Sequence, residues 1–122
     1  MATILIIEDE IVLQRTLRKL LEFEGHTILD AENGVTGLKA AREHLPDLII
    51  CDIRMPVLDG YGVLALLRQS AETASIPFVF MTAKASQSEI ERGLALGIDH
   101  YLTKPFEANE LLRIVNDKLN AG

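Results

Sequence analysis

Short apolar runs recur along the chain, and each of them ends at polar residues. The longer runs cover residues 3–7, 48–51 and 77–81, and shorter ones cover residues 27–29 and 100–103. A continuous apolar run is typical of a strand that is buried on both faces, as in a parallel sheet. The hydrophobic pattern therefore predicts five strands at the centre of the fold.

Between the first predicted strands, apolar residues recur at helical spacing. A first helix over roughly residues 11–24 is predicted to pack on the sheet, and Gly25 ends it. Its inward positions are Leu13, Leu17, Leu20 and Leu21. Asn33 is predicted to cap a second helix. The inward positions of that helix are Val35, Leu38, Ala41 and Leu45.

Three more helices follow the later strands. The third is marked by Gly60, Val63, Leu64 and Leu67, the fourth by Ile90 and Leu94 with its end near Gly97, and the fifth by Leu111, Leu112, Val115 and Leu119. Regular alternation of strands and helices predicts an α/β fold with a parallel sheet, helices on both of its faces and right-handed crossovers. The pattern alone does not give the strand order.

Composition narrows the class of protein. The 122 residues suit a single domain over residues 1–122. No apolar stretch approaches the length of a membrane span, and the first strand starts too early for a signal peptide. Cys51, the single cysteine, cannot form an intrachain disulfide, which suits a reducing cytoplasm, and it is predicted to be a small buried hydrophobe. The net charge of −6 opposes direct binding to nucleic acid or to acidic membranes.

Chemically active side chains follow the predicted strands. The carboxyl ends of parallel strands are where α/β folds bind ligands. These ends carry Glu8 and Asp9, then Asp52, then Thr82 with Ala83, and finally Lys104. Crowded carboxylates raise one another's pKa unless a cation intervenes, and Mg²⁺ suits carboxylates completed by water and phosphate. One carboxylate could then attack a phosphoryl group, with an ammonium and a hydroxyl on its oxygens.

The ordered motifs resemble those of the receiver domain of a two-component response regulator. They are Glu8-Asp9, Asp52 with Met55-Pro56 and Asp59-Gly60, Thr82-Ala83, and Tyr101 with Lys104-Pro105-Phe106. The resemblance runs from Thr3 to about Leu119. It implies a flavodoxin-like five-stranded sheet in the order 2-1-3-4-5. Strands one and three are neighbours in that order, so their carboxylates would meet.

The resemblance also implies a role for each residue of the site. Asp52 would accept a phosphoryl group from a histidine kinase or a phosphotransfer protein. Mg²⁺, or Mn²⁺ as an alternative, would be held by Glu8, Asp9, Asp52 and the backbone carbonyl of Arg54. The phosphoryl oxygens would be bound by the Thr82 hydroxyl, the Ala83 backbone N–H and Lys104.

Switching and lifetime are further implications of the resemblance. The Lys104–Pro105 bond would be cis, and Tyr101 would move inward when Thr82 moves to the phosphate. The side chains of Arg54 and Lys84 would flank the attacking water and tune the lifetime of the phosphorylated form. The output face would be the fourth helix, fifth strand and fifth helix, presented to a downstream protein or a fused effector. Such a domain catalyses only its own phosphorylation and dephosphorylation and is not an enzyme.

Other interpretations of the same residues remain open. Glu8, Asp9 and Glu10 could simply cap the first helix, since acids suit a helix N-terminus. A flavodoxin-like FMN carrier shares the fold, but these acids would repel its phosphate. A small phosphatase with an aspartate nucleophile needs a second acid, and a base, Arg54, stands two residues after Asp52.

The residues at the output face and the kinase-facing side leave the partners undefined. In one large subclass of DNA-binding regulators, charged pairs on the output face form a dimer. Here His100 follows Asp99, and Ile114 stands four residues after Glu110, so that pattern is broken. By resemblance, kinase contacts would come from Arg15, Arg18 and Phe106. Whether the chain is a whole regulator or part of a longer protein stays open.

Overall fold

A five-stranded parallel sheet forms the centre of the computed structural model, which describes residues 1–83 and 86–120. In chain order the elements are β1 (Thr3–Ile7), α1 (Ile11–Phe23), β2 (Thr27–Ala31), α2 (Gly34–His44), β3 (Leu48–Asp52), α3 (Gly60–Arg68), β4 (Phe78–Thr82), α4 (Gln87–Ala95), β5 (His100–Thr103) and α5 (Ala108–Asn120). The strand order is β2-β1-β3-β4-β5. The predicted flavodoxin-like order is therefore confirmed.

Alternate residues of each strand face opposite sides of the sheet, so each side has its own core. One core, under α2 and α3, includes Leu5, Ile7, Ile49, Cys51, Phe78 and Phe80. The other, under α1 and α5, includes Ile4, Ile6, Leu48, Ile50, Val79 and Met81. Helices on both faces are thus confirmed, and Cys51 is fully buried as predicted.

The first helix packs as its leucine spacing predicts. Leu17 and Leu21 are fully buried, and two further leucines of α1 lie against the same core. Gly25 follows the helix with a φ of +91°, a conformation that favours glycine, and its N–H donates to the carbonyl of Glu22. Within the described part of the chain, no helix has the length and apolarity that a bilayer crossing requires.

The predicted inward face of α2 is wrong at both of its ends. Val35 is 54% exposed and Leu45 is 45% exposed. The buried stripe runs instead through small residues, because a Cβ at Gly37 would lie 2.5 to 2.9 Å from carbons of Ile7. The helix packs too closely on β1 for large side chains there. Leu45 has already left the helix, with a left-handed φ of 47°.

In the fourth helix too, the residue that packs against the body of the protein is small, and it is not the leucine whose spacing marked the helix. Among the described residues of α4, Gly93 alone is buried, whereas Leu94 is 64% exposed. A capping box between Ser86 and Glu89 fixes the start of α4. The helix therefore exists where it was predicted, but it rests on the body of the protein through a glycine.

The loop between β3 and α3 holds a valine in a left-handed conformation. Val57 has a φ of 70° and is 98% exposed. A β-branched residue is rarely found at positive φ, because its Cβ crowds the backbone. No packing of the side chain offsets this strain, so the strain lowers the stability of the fold.

Replacing Val57 with asparagine should therefore stabilise the protein. Asparagine tolerates the left-handed region, and almost no buried surface is lost, so the free energy of unfolding should rise by about 1 kcal/mol. Urea unfolding without divalent cations measures this. Val12→Asn is the matched control, since Val12 is 72% exposed in α1 and the two residues have similar helix propensities. An equal gain in both variants would show that residue 57 is not strained.

Candidate functional site

Three carboxylates meet at the carboxyl edge of the sheet. β1 pairs with β3 so that Ile7 lies opposite Cys51, which places the next residue of each strand side by side. Glu8, Asp9 and Asp52 each offer a carboxylate oxygen, and these oxygens lie within 4.8 Å of one another. Glu8 and Asp52 are buried, and Asp9 is exposed. The predicted cluster is brought together by the neighbouring positions of β1 and β3.

Both carboxylate oxygens of Glu8 have a donor. Oε2 accepts the backbone N–H of Glu10 at 3.2 Å, and Oε1 accepts the Lys104 ammonium at 3.0 Å. The backbone N–H of Glu8 donates to the carbonyl of Ala31 at 3.0 Å, which ties the end of β1 to β2. These hydrogen bonds hold the Glu8 side chain in the cluster and replace contacts with water, since the residue is only 1% exposed.

Gln14 supports this end of the sheet, and the sequence interpretation missed it. Its Nε2 donates to the carbonyl of Glu8 at 3.1 Å and to that of Ala31 at 3.2 Å. The signal was present, because a polar residue at position 14 shares a helix face with Leu17 and Leu21, which are buried. Gln14 therefore fixes the backbone that carries Glu8.

Lys104 brings a positive charge into the cluster. Its backbone N–H donates to the carbonyl of Thr82 at 2.7 Å, just beyond the paired ends of β4 and β5. The Lys104–Pro105 bond is cis, as the resemblance implies. The ammonium lies 3.0 Å from Glu8 and 3.6 Å from Asp52, so one cation serves two carboxylates.

Burial governs the protonation of the cluster. It raises the pKa of Glu8 to about 7, against the opposing effect of the Lys104 hydrogen bond. Burial also raises the pKa of Asp52, where the charge of Lys104 opposes the shift and that of Asp9 adds to it. For Lys104, burial lowers the pKa, but the carboxylates outweigh it and the net shift is upward. Three carboxylates and one ammonium therefore leave the site short of positive charge.

The donor set fits a hard divalent cation. Carboxylate oxygens at this spacing suit Mg²⁺, which binds few protein ligands and keeps several waters. Glu8, Asp9 and Asp52 could hold such an ion, and the backbone carbonyl of Arg54 stands two residues after Asp52 in the β3–α3 loop. The positive charge would relieve the repulsion that Lys104 only partly offsets.

Thr82 and Ala83 lie at the end of the strand next to β3. Asp52 pairs with Met81, so Thr82 stands one residue further along β4 than the partner of Asp52. Thr82 is 3% exposed and Ala83 is exposed. The structure thus places a buried hydroxyl group and a small residue beside the carboxylate cluster.

Tyr101 and Arg54, two further residues that the sequence singles out, both contact Glu89 of α4. Tyr101 is half-buried and donates its hydroxyl to the backbone carbonyl of Glu89 at 2.9 Å. The side chain of Arg54 is 78% exposed and reaches toward the Glu89 carboxylate, 3.9 Å away. Lys84 lies outside the described residues. Tyr61, which the sequence interpretation did not single out, donates to the same Glu89 carbonyl at 2.8 Å.

Comparisons with known proteins agree with this geometry. The family described as response regulator receiver domain matches residues 4–116. The protein PilH of Pseudomonas aeruginosa is 39% identical over 116 residues, which cover 95% of this chain and 96% of PilH. The chemotaxis protein CheY4 of Vibrio cholerae superposes with a TM-score of 0.92 at 28% identity, covering 98% of this chain and 99% of that one.

A second similar structure holds a metal. It is the receiver domain of the sensor histidine kinase PA1611 from Pseudomonas aeruginosa PAO1, with a magnesium ion coordinated in its active site cleft. The TM-score is 0.88 at 32% identity, and the match covers 97% of each chain. Some other curated relatives are longer, and the chain spans about half of their length, 51% and 54% in two cases.

The raised pKa of Glu8 predicts a pH dependence of stability without divalent cations. Native Glu8 keeps a proton that the unfolded chain releases near pH 4.5, so the free energy of unfolding should fall as pH rises from about 4.5 to about 7. Glu8→Gln should remove this pH dependence, which changes the free energy of unfolding by at most about 3 kcal/mol over the range. Urea unfolding with a chelator over this pH range measures it. The exposed Glu24→Gln variant should keep the wild-type slope, and an unchanged slope in Glu8→Gln would contradict the assignment.

Proposed function

The chain belongs to the family of response regulator receiver domains, and from this we propose that Asp52 accepts a phosphoryl group in a Mg²⁺-dependent reaction. One observation carries the proposal. The Asp52 carboxylate shares a cluster within 4.8 Å with Glu8 and Asp9 and lies 3.6 Å from the Lys104 ammonium. A nucleophile with a cation beside it and oxygen ligands for a metal is what phosphoryl transfer requires.

The proposed reaction forms an acyl phosphate on Asp52. A carboxylate oxygen of Asp52 attacks the phosphorus of a phosphohistidine, the P–N bond breaks, and the imidazole leaves with the electron pair and takes up a proton. When bound, Mg²⁺ supplies positive charge to the phosphoryl oxygens. Lys104 adds charge from the β5 side. Attack by water on phosphorus later breaks the P–O bond, releases inorganic phosphate and restores the Asp52 carboxylate.

Phosphorylation acts as a switch in this proposal. The phosphoryl group adds about −1.5 to −2 charges to a buried strand end, so nearby donors are drawn to it. Lys104 moves from Glu8 onto a phosphoryl oxygen, and the Thr82 hydroxyl and the Ala83 backbone N–H bind the others. Tyr101 then occupies the inward position. Its hydrogen bond to the Glu89 carbonyl supports an inward place for the ring beside α4.

Arg54 and Lys84 set the lifetime of the phosphorylated form in this proposal. Both side chains are cationic at neutral pH, so neither can act as a general base toward water. Each can instead lean over the phosphoryl group and shield the in-line approach that hydrolysis needs. The exposed side chain of Arg54 is free to move there, since its partner Glu89 lies 3.9 Å away in solvent contact.

A histidine kinase or a phosphotransfer protein is the proposed donor. An apolar groove of about 450 Å³ lies between α1 and the β5–α5 loop, beside Lys104, and it supports docking there. Its apolar lining includes Leu13, Leu17, Leu20, Pro105 and Phe106. Arg15 is exposed on α1, whereas Arg18 is already paired with Asp30 at 2.7 Å.

The output of the domain is proposed to leave through α4, β5 and α5. The recipient would be a downstream protein or a fused effector rather than nucleic acid or a membrane, because the chain carries a net charge of −6. A reducing cytoplasm is the proposed location, where histidine kinases phosphorylate their regulators. The domain is a signalling domain that catalyses only its own phosphorylation and dephosphorylation.

Asp52→Asn should abolish labelling by a small phosphodonor. Acetyl phosphate with Mg²⁺ should add one phosphoryl group to the wild-type chain, and this mass gain should be lost in Asp52→Asn, since an amide oxygen is a poor nucleophile. Intact-protein mass spectrometry measures the labelled fraction, and a chelator should prevent labelling of the wild type.

Asp59→Asn is the matched control for this experiment. Asp59 caps α3 by accepting the Gly62 N–H at 2.9 Å, and asparagine caps a helix equally well. The control should therefore be labelled like the wild type. Equal labelling of Asp52→Asn, with the same base-labile bond, would contradict the proposed acceptor.

A further inference from the structure

The proposed function gives a role to Tyr101 but none to Tyr61, the other of the two tyrosines in the chain. Tyr61 lies in the first turn of α3 and is only 2% exposed. Its ring packs edge-on against Phe80, with the ring centroids 4.9 Å apart. Its hydroxyl donates to the backbone carbonyl of Glu89 in α4 at 2.8 Å.

Both tyrosines of the chain converge on this one carbonyl. Tyr101 donates to it at 2.9 Å, and its ring also lies against Phe80, 5.6 Å away. A carbonyl oxygen has two lone pairs and can accept from both phenols. Burial raises the pKa of Tyr61, so its hydroxyl stays protonated and remains a donor.

The first turns of α4 depend on these contacts because the helix buries little else. Gly93 alone is buried among the described residues of α4, and a Cβ there would overlap the Tyr101 hydroxyl. The Arg92 guanidinium lies 4.4 Å above the centre of the Tyr61 ring. Tyr61 therefore contacts α4 at Glu89 and at Arg92, on the side that faces Tyr101.

We propose that Tyr61 is a positioning residue of the phosphorylation switch, which holds the Glu89 carbonyl where Tyr101 can reach it. This inference rests on the proposed function, because it needs phosphorylation of Asp52 to favour the inward position of Tyr101, in which its hydroxyl donates to the Glu89 carbonyl. Without the Tyr61 hydroxyl, the first turn of α4 loses a fixed contact to α3. The inward position of Tyr101 then has a less well placed acceptor and becomes less populated.

Tyr61→Phe should weaken the binding of a phosphoryl analogue. The variant keeps the ring against Phe80 and under Arg92 and removes only the hydroxyl. The inward state and the phosphoryl group stabilise each other reciprocally, so a smaller inward population lowers the affinity. Loss of one hydrogen bond predicts roughly two- to tenfold weaker binding of beryllium trifluoride in the presence of Mg²⁺. Calorimetric titration of the full chain measures the affinity.

A double-mutant cycle separates a switch role from a structural one. If Tyr61 acts through Tyr101, then Tyr61→Phe should have no further effect on the affinity in a Tyr101→Phe background. Thr73→Val is the matched control, since the buried Thr73 hydroxyl donates to the carbonyl of Leu67 at 2.6 Å, at the other end of α3. It should lower the stability of the fold and leave the affinity for the analogue as in the wild type.

The Tyr101 ring provides a second measurement. In protein labelled with ¹³C at tyrosine, Tyr61→Phe leaves one tyrosine signal, which should shift toward the position of an exposed ring before any analogue is added. Wild-type affinity and an unshifted Tyr101 signal in Tyr61→Phe would overturn the inference, as would effects of the two substitutions that simply add. A wild-type protein that binds no analogue at all would instead overturn the proposed function and this inference with it.

Discussion

The site depends on one interaction, the pairing of the Lys104 ammonium with two buried carboxylates. The ammonium lies 3.0 Å from Glu8 and 3.6 Å from Asp52, at an edge where a third carboxylate, that of Asp9, stands close by. Burial weakens the solvation of these charges, and one cation does not balance three carboxylates. The site is therefore suited to bind more positive charge, which the proposed transfer of a phosphoryl group to Asp52 requires.

The fold supplies this arrangement through strand order and through short backbone links. β1 and β3 are neighbours, so the acids that follow them meet, and β4 and β5 complete the other side with Thr82 and Lys104. Two apolar cores, one on each face of the sheet, fix the strands behind the site. The polar residues at the edge can then be crowded at a cost that the cores offset.

Part of this could be predicted from residues alone. Uninterrupted apolar runs mark strands buried on both faces, so the strand ends, and with them Asp52 and Lys104, were located correctly. The α2 face was wrong, because close packing of helix on sheet selects Gly37 and excludes large side chains, which a count of apolar residues cannot detect. Tyr61 was missed because its hydroxyl donates to a carbonyl 28 residues further along the chain, and nothing in the sequence pairs these two positions.

The central claim is that the carboxylate cluster, in which Glu8 and Asp52 are buried and Asp9 is exposed, binds a divalent cation. Calorimetric titration with Mg²⁺ tests this claim at about one pH unit below and about one above the pKa of Glu8, which is about 7. A ligand must lose its proton before it binds metal, so the affinity should be about tenfold weaker at the lower pH, with protons released on binding. Binding that does not change between the two pH values, or no binding at either, would contradict the claim.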